Sequence, residues 1–291
     1  MSHRHADRPA LAIAIMIVAV AMLVAMNAAV KLIGPDINAI QVTFIRNLIA
    51  AFVLVPFVMR SGGMASLKTR RPGLQLLRSV SGIAGVTCYF YGVQHLPVSE
   101  VTVISQATPL FVAALAVPIL KETVGWRRWS AIALGFVGVV VALGPVGQVG
   151  LPGLVVVAGT LLWAVTILTV RTLGATDSPA ATTFYYMVLG TLIAGAVQPW
   201  VWKTPPADTW MLFAAAGVLG GIAQLLIAHA LKVGEASVVS PFNYTAIIWG
   251  VGVDFVLWNL LPTVWTLGGA AIVTVAGLYL FRREAAVKQS G

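Results

Sequence analysis

Charge is scarce in this chain. Only 9% of its 291 residues are Asp, Glu, Lys or Arg, against about a quarter in soluble domains. That shortage excludes an ordinary water-soluble globule. Cysteine is nearly absent as well: Cys88 stands alone in an apolar run, so no internal disulfide can form, and it reads as a small packing residue. The chain contains no HExxH, no G-x-S-x-G and no G-x-x-x-x-G-K-[ST]. His95 and His229 lack metal-ligand spacing. An enzyme, a metal centre, a cofactor and ATP-driven pumping by this chain alone are therefore not expected.

Apolar sequence fills the space instead. Hydrophobic residues make up 59% of the chain, and mean hydropathy is +0.94. The apolar runs are mostly about 20 residues long, enough for a helix to cross a hydrocarbon core of about 30 Å. Backbone groups in hydrocarbon must bond within their own segment, so runs of this length are helices rather than barrel strands. Ten spans are expected, at 9–33, 39–59, 76–95, 98–120, 129–143, 151–170, 179–201, 209–231, 236–258 and 264–281. The first is too long for a signal-peptide core and is followed by more, so it is expected to stay in the membrane.

The net charge of +9 reads as topology, not as affinity for nucleic acid. Fifteen of the 18 Lys and Arg fall on the side that holds both termini. Lys31 and Lys203 fall on the other side, and Arg46 lies inside a span. The positive-inside bias places both termini in the cytoplasm and the chain in a cell (inner) membrane. Most tryptophans sit at span ends, as interfacial anchors do; Trp163 and Trp249 lie near mid-span.

The stretch 96–109 repeats at 233–246, an offset of 137. Each copy has a short polar opening, a Ser/Val run, and an amide (Gln106, Asn243) two residues before a threonine (Thr108, Thr245). Farther on, Trp126 matches Trp265 and Gly138 matches Gly277. Five spans per unit is an odd number, so the second unit enters the bilayer from the opposite side. Carriers built this way hold substrate near the midplane, between the repeats. Residues 9–145 and 146–282 are the two expected units, with cytoplasmic tails at 1–8 and 283–291.

Two five-helix units, the Ser/Val-rich openings, mid-span Pro109, and Glu122 before Trp126 resemble the drug/metabolite transporter superfamily. The chain is most similar to its EamA-type branch, which includes YddG-like amino-acid exporters. The second half has Ala246 and Asn259 where the first has Pro109 and Glu122, a departure from symmetry. The resemblance implies an all-α integral membrane carrier with a central cavity, exporting amino acids (aromatic or neutral) or similar small metabolites. A broad-specificity drug or metabolite exporter is the alternative within the fold; a structural or enzymatic polytopic protein is the alternative outside it. Its partners are the small-molecule substrate and the lipid bilayer, and a monomer is compatible with it.

Candidate site residues follow from polarity at membrane depth, where each polar group needs a partner or a cavity. Gln106 lies mid-span with Pro109 in the same turn. Proline has no N–H, so the Ser105 carbonyl loses its helical partner, and carbonyl plus amide form a candidate substrate site. Asn243 and Tyr244 are its counterparts in the second unit, the two amides facing each other. Trp163, between Thr160 and Thr166, is expected to line the pocket, and Trp249 to pack. Of Tyr89 and Tyr91, at most one can face a cavity; Tyr91 shares the polar face of Thr87 and is preferred. Asn27 and Gln224 are either lining residues or interhelical clamps. A charge at the centre of a span costs about 2.5–3.5 kcal/mol on insertion scales, so Arg46 is expected to pair with Glu100 or Asp254, or else to meet a substrate carboxylate. Gly217/Gly221 and Gly135/Gly138 are read as packing devices.

Overall fold

A computed structural model describes residues 9–60, 68–120, 125–144 and 150–289, and every regular element among them is helical. The junction expected near 145, and Glu122, lie outside the described residues. In order the elements are α1 (Pro9–Ile33), α2 (Ala39–Arg60), α3 (Pro72–His95), α4 (Val98–Ser105), α5 (Thr108–Leu120), α6 (Trp126–Ala142) and α7 (Gly150–Leu173). There follow α8 (Pro179–Ala196), α9 (Gln198–Val201), α10 (Thr209–Val233), α11 (Ala236–Val239), a 3₁₀ turn (Ser240–Tyr244), α12 (Thr245–Trp258) and α13 (Val264–Gln289). Four lengths, Pro9–Ile33, Val98–Ile119, Gly150–Leu173 and Thr209–Val233, are long and apolar enough to cross a bilayer on their own.

Three of the expected spans are interrupted. The stretch 98–120 breaks between α4 and α5, 179–201 between α8 and α9, and 236–258 at the 3₁₀ turn. The first and third breaks fall at the repeat-matched positions. In both, a threonine hydroxyl repairs the main chain: Thr108 Oγ1 donates to the Ser105 carbonyl at 2.6 Å and Thr245 Oγ1 to the Phe242 carbonyl at 2.7 Å. The Ser105 carbonyl expected to be free beside Pro109 is thus occupied by a side chain three residues on.

Helix pairing follows an exchange of halves. α1 lies along α10 and α3 along α7, which are equivalent pairs if α1 is matched with α7 and α3 with α10. The pairs α2–α8, α4–α12 and α6–α13 map onto themselves in the same way. The match fails around α10: α1 and α3, and α2 and α3, are packed together, whereas α7 and α10, and α8 and α10, have no comparable contact.

Small residues permit the close pairings, as expected where apolar lipid offers no hydrophobic drive for helices to associate. A Cβ on Gly159 would lie 2.7 Å from Cβ of Cys88 and 3.0 Å from the Gly85 carbonyl, so α3 and α7 meet almost backbone to backbone. Gly135 receives Leu110, Gly138 receives Ile272, and Gly217 receives Ile49. Trp249, expected to pack, is exposed on α12 beside exposed Ile248; on a bundle in lipid an outward indole needs no protein partner.

Outside the membrane-spanning lengths, Asp177 ties the α7–α8 turn to the start of α3. It accepts from the Thr69 hydroxyl, from the Arg70 N–H at 3.1 Å and from Gln75 Nε2 at 2.8 Å. Burial alone would raise its carboxyl, but hydrogen bonds from Thr69, Arg70, Gln75 and Thr176 outweigh that and hold it below the usual carboxylate range. A depressed acid stabilises the fold above its unfolded-state pKa, and this is lost as pH falls through its folded value. Asp177→Ala is expected to cost about 1–3 kcal/mol, the penalty for orphaning buried donors. Melting curves of the purified protein should show the deficit at neutral pH and its disappearance toward the acid side; a pH-independent deficit would contradict the assignment.

Candidate substrate cavity

A cavity of about 990 Å³ lies inside the bundle, with walls from both halves. It takes Val20 to Asn27 from α1, Arg78 to Phe90 from α3, Gly159 to Val170 from α7 and Gly220 to Ala228 from α10. On α7 and α10 these lengths run from mid-helix toward the end of the bundle where α1 begins, on α3 they start at Arg78 near that end, and on α1 they stay about the middle of the helix. None reaches Ile33, His95, Gly150 or Thr209, the opposite ends of the same helices. The cavity therefore extends toward one end of the molecule only, and the parted pair α7 and α10 flanks it.

Its floor is the crossing of the two broken stretches. Gln106 Nε2 donates to the main-chain carbonyl of Asn243 at 2.7 Å, a contact between residues 137 apart in the chain. The two repeat-matched residues thus touch, though the amides do not meet head to head as expected: the Gln106 amide donates to the main-chain carbonyl of Asn243 inside the 3₁₀ turn. Tyr244 packs against α13, where only Gly277 leaves room; a Cβ there would lie 1.7 Å from the Tyr244 hydroxyl.

Gln106, Asn243, Tyr244, Trp163, Asn27 and Gln224 all line the cavity. Asn27 is clamp and wall together, its Nδ2 donating to the Tyr89 hydroxyl at 2.8 Å while its Oδ1 is buried without a partner among the described residues. Tyr91 is not in the wall. Its ring stacks on His95 at 4.2 Å, and Tyr89 takes the place assigned to it. Thr87, used to choose Tyr91, points elsewhere, donating to Thr43 on α2 at 3.2 Å. The α3 face in the cavity starts from Arg78, and Tyr89 lies eleven residues, about three turns, beyond it.

Arg46 does not pair with Glu100 or Asp254. It lies in the cavity wall beside Asn47, donating to its Oδ1 at 3.2 Å. Asp254 belongs to Lys31 instead, at 3.7 Å, because Lys31 on the last turn of α1 reaches the end of the bundle and Arg46, two turns into α2, does not. The same carboxylate accepts from the N–H groups of Val98 and Ser99 at 2.9 and 2.8 Å and from the Ser99 hydroxyl at 2.7 Å. It thereby caps α4 from across the bundle, where a helix start has orphan donors and a partial positive charge. Lys31 also donates to the Leu96 carbonyl at 2.9 Å and lies over the Trp258 ring. Glu100 stands nearby with Thr266. This latch joins α1, α4 and α12 at the end the cavity does not reach. Gln94 fastens the same end by donating to the Gly34 and Ile37 carbonyls, and Gln41 by exchanging two hydrogen bonds with Lys203.

Arg78, Asn47 and Tyr186, none of them among the expected site residues, also line the cavity. Arg78 was counted among the rim charges. α3 begins at Pro72, so Arg78 is more than a turn inside the helix, where its Nη1 donates to the Thr182 carbonyl at 2.8 Å and its guanidinium lies over the Tyr186 ring.

A helical bundle with four lengths able to cross a bilayer and a large interior hollow walled by both halves has the architecture of a membrane carrier. The chain belongs to the EamA-like transporter family, whose model matches it twice, over residues 10–144 and 151–283. It is a multi-pass membrane protein of a transporter family. It is 29% identical over 255 residues to an S-adenosylmethionine uptake transporter of Rickettsia prowazekii (strain Madrid E), a match spanning 87% of this chain and 86% of that protein. A riboflavin transporter of Vibrio cholerae is 28% identical over 246 residues, spanning 84% of this chain and 83% of its own length. A pseudopaline exporter of Pseudomonas aeruginosa is 26% identical over 271 residues, spanning 89% and 92%. One solved structure superimposes with a TM-score of 0.64 over 94% of this chain and 98% of its own at 16% identity, which shows a shared fold. These relatives carry chemically unlike substrates, so the family does not bring the amino-acid substrate with it.

Removing Asp254 would leave the buried Val98 and Ser99 N–H groups without their acceptor and Lys31 without the carboxylate it pairs with. Asp254→Ala is expected to cost about 3–5 kcal/mol, the range for breaking a buried pair from one side. It should also make a cysteine placed at Ser99 reactive to thiol reagents. Unchanged melting and an unreactive Ser99→Cys would show that the latch does not hold this end shut.

Proposed function

We propose that the chain is a secondary carrier that exports amino acids or similar small metabolites by alternating access. In this reading it makes ten spans as two inverted five-helix units, 9–145 and 146–282. The tails 1–8 and 283–291 lie on the cytoplasmic side of the cell membrane. One observation carries the reading: a cavity walled by both halves reaches one end of the bundle and is latched at the other. The double family match, the contact between Gln106 and Asn243, and the pairing of helices under exchange of halves support the inverted repeat. The parted α7 and α10 against the packed α1 and α3 support alternation, because exchanging the roles of the halves would close this opening and open the other end.

The cavity faces the end that the Lys and Arg distribution assigns to the cytoplasm, where an exporter loads. Its amides can orient α-amino and α-carboxylate groups, while Trp163 and Tyr89 offer apolar faces to a side chain. About 990 Å³ also accommodates larger solutes, which keeps a broader metabolite exporter as the second reading.

Reconstituted protein should move radiolabelled amino acids across liposomes, and Gln106→Ala or Trp163→Ala should reduce the rate at least tenfold. Spin labels at Ala175→Cys and Leu231→Cys in a Cys88→Ala background should move closer when substrate drives the exchange of states. No transport of any amino acid under several gradients would remove the substrate assignment; a fixed label distance would remove alternating access.

A further inference from the structure

The protein treats the cations inside its bundle in two ways. Lys31 has a carboxylate, Asp254, at 3.7 Å. Arg46 and Arg78 have none among the described residues: Arg46 donates to the Asn47 amide and has Tyr186 within electrostatic reach. Arg78 donates to the Thr182 carbonyl and lies over the Tyr186 ring. Tyr186 therefore stands within electrostatic reach of both guanidiniums, and all three side chains line one cavity. Nε of each arginine and Nδ2 of Asn47 are buried with no hydrogen-bond partner among the described residues.

The surrounding packing makes room for this cluster. A Cβ on Gly220 would lie 2.8 Å from a terminal nitrogen of Arg46 and 3.1 Å from its Nε. A Cβ on Gly82 would lie 2.6 Å from the Tyr186 ring. Two like charges in one wall, with spare donors and no acid, are unfavourable until an anion enters, since a buried charge needs a counter-charge and full hydrogen bonding. Guanidinium presents a planar fork of donors that matches a carboxylate or phosphate edge to edge.

We propose that Arg46, Arg78, Tyr186 and Asn47 form an anion subsite that selects substrates carrying more carboxylate than ammonium charge. The proposal rests on the carrier reading and narrows it. A zwitterionic neutral amino acid brings one carboxylate to two arginines and no acid to its ammonium, whereas a dicarboxylate matches both. Cationic solutes are rejected by the same pair. Lipid access is not required, since the subsite opens into the aqueous end of the cavity.

The test is binding to the full-length protein in nanodiscs, by calorimetry and ligand-induced melting shift, with succinate, L-glutamate, L-leucine, L-lysine and inorganic phosphate as probes. The expected order is succinate, then glutamate, then leucine, with lysine not bound and affinity for succinate falling as NaCl is raised. Arg46→Gln and Arg78→Gln should each weaken succinate at least tenfold, with Arg46→Lys between. Gly220→Ala, which displaces the Arg46 guanidinium without removing its charge, should weaken succinate more than leucine. Leucine or lysine binding as tightly as succinate overturns the proposal, as does succinate binding in both Gln variants at wild-type strength. Phosphate binding tighter than every carboxylate overturns the carboxylate assignment. The wild-type series and its salt dependence decide the matter even if a variant fails to fold. Transport that is blind to substrate charge leaves the carrier standing without this subsite; arginine-dependent succinate binding with no transport leaves the subsite standing without the carrier.

Discussion

A helix that breaks inside a membrane must find partners for the main-chain groups it releases, because hydrocarbon offers none. That requirement organises this molecule. The two stretches that break near their centres do so at matched places, and each mends part of its own damage with a threonine hydroxyl three residues past the exposed carbonyl. What remains is met across the molecule, where the Gln106 amide takes the Asn243 carbonyl. The two repeat-matched breaks thus fall where the two halves meet, beside the hollow.

Charge then divides the molecule into a shut end and an open one. At the shut end one carboxylate, Asp254, serves a lysine, a hydroxyl and two main-chain N–H groups on a different helix. Such a cluster holds because every member has a partner, and it weakens as a unit if one is withdrawn. Along the open cavity the arginines have no acid among the described residues. A carrier needs this contrast: a gate satisfied by its own residues can stay closed between cycles, while a site left short of counter-charge is completed by cargo. The α1–α3 pair is packed where its counterpart α7–α10 has no comparable contact.

Much of this was legible in the sequence. Run length and the shortage of charge gave the helices; the offset of 137 gave the two residues that touch; polarity at depth picked out Asn27, Trp163 and Gln224 as wall residues. The failures have a common physical source. Periodicity tells which residues share a face but not which neighbour the face meets, so Thr87 pointed to Tyr91 although it turns toward α2. Counting Lys and Arg by side treats every charge near a span end as rim, so Arg78 went unnoticed until α3 was seen to begin at Pro72. Lys31 was set aside for the same reason, and Arg46 was given the acid that Lys31 holds.

Sidedness of access to the hollow tests the central claim most directly. Gln224 lies in the cavity wall and is exposed, so Gln224→Cys in a Cys88→Ala background can be challenged with a membrane-impermeant thiol reagent from either face of oriented vesicles. The expected result for the resting protein is labelling from the face where α1 begins and protection from the other. Labelling from both faces would mean a channel rather than a latched carrier, and labelling from neither would mean that no water-filled hollow exists.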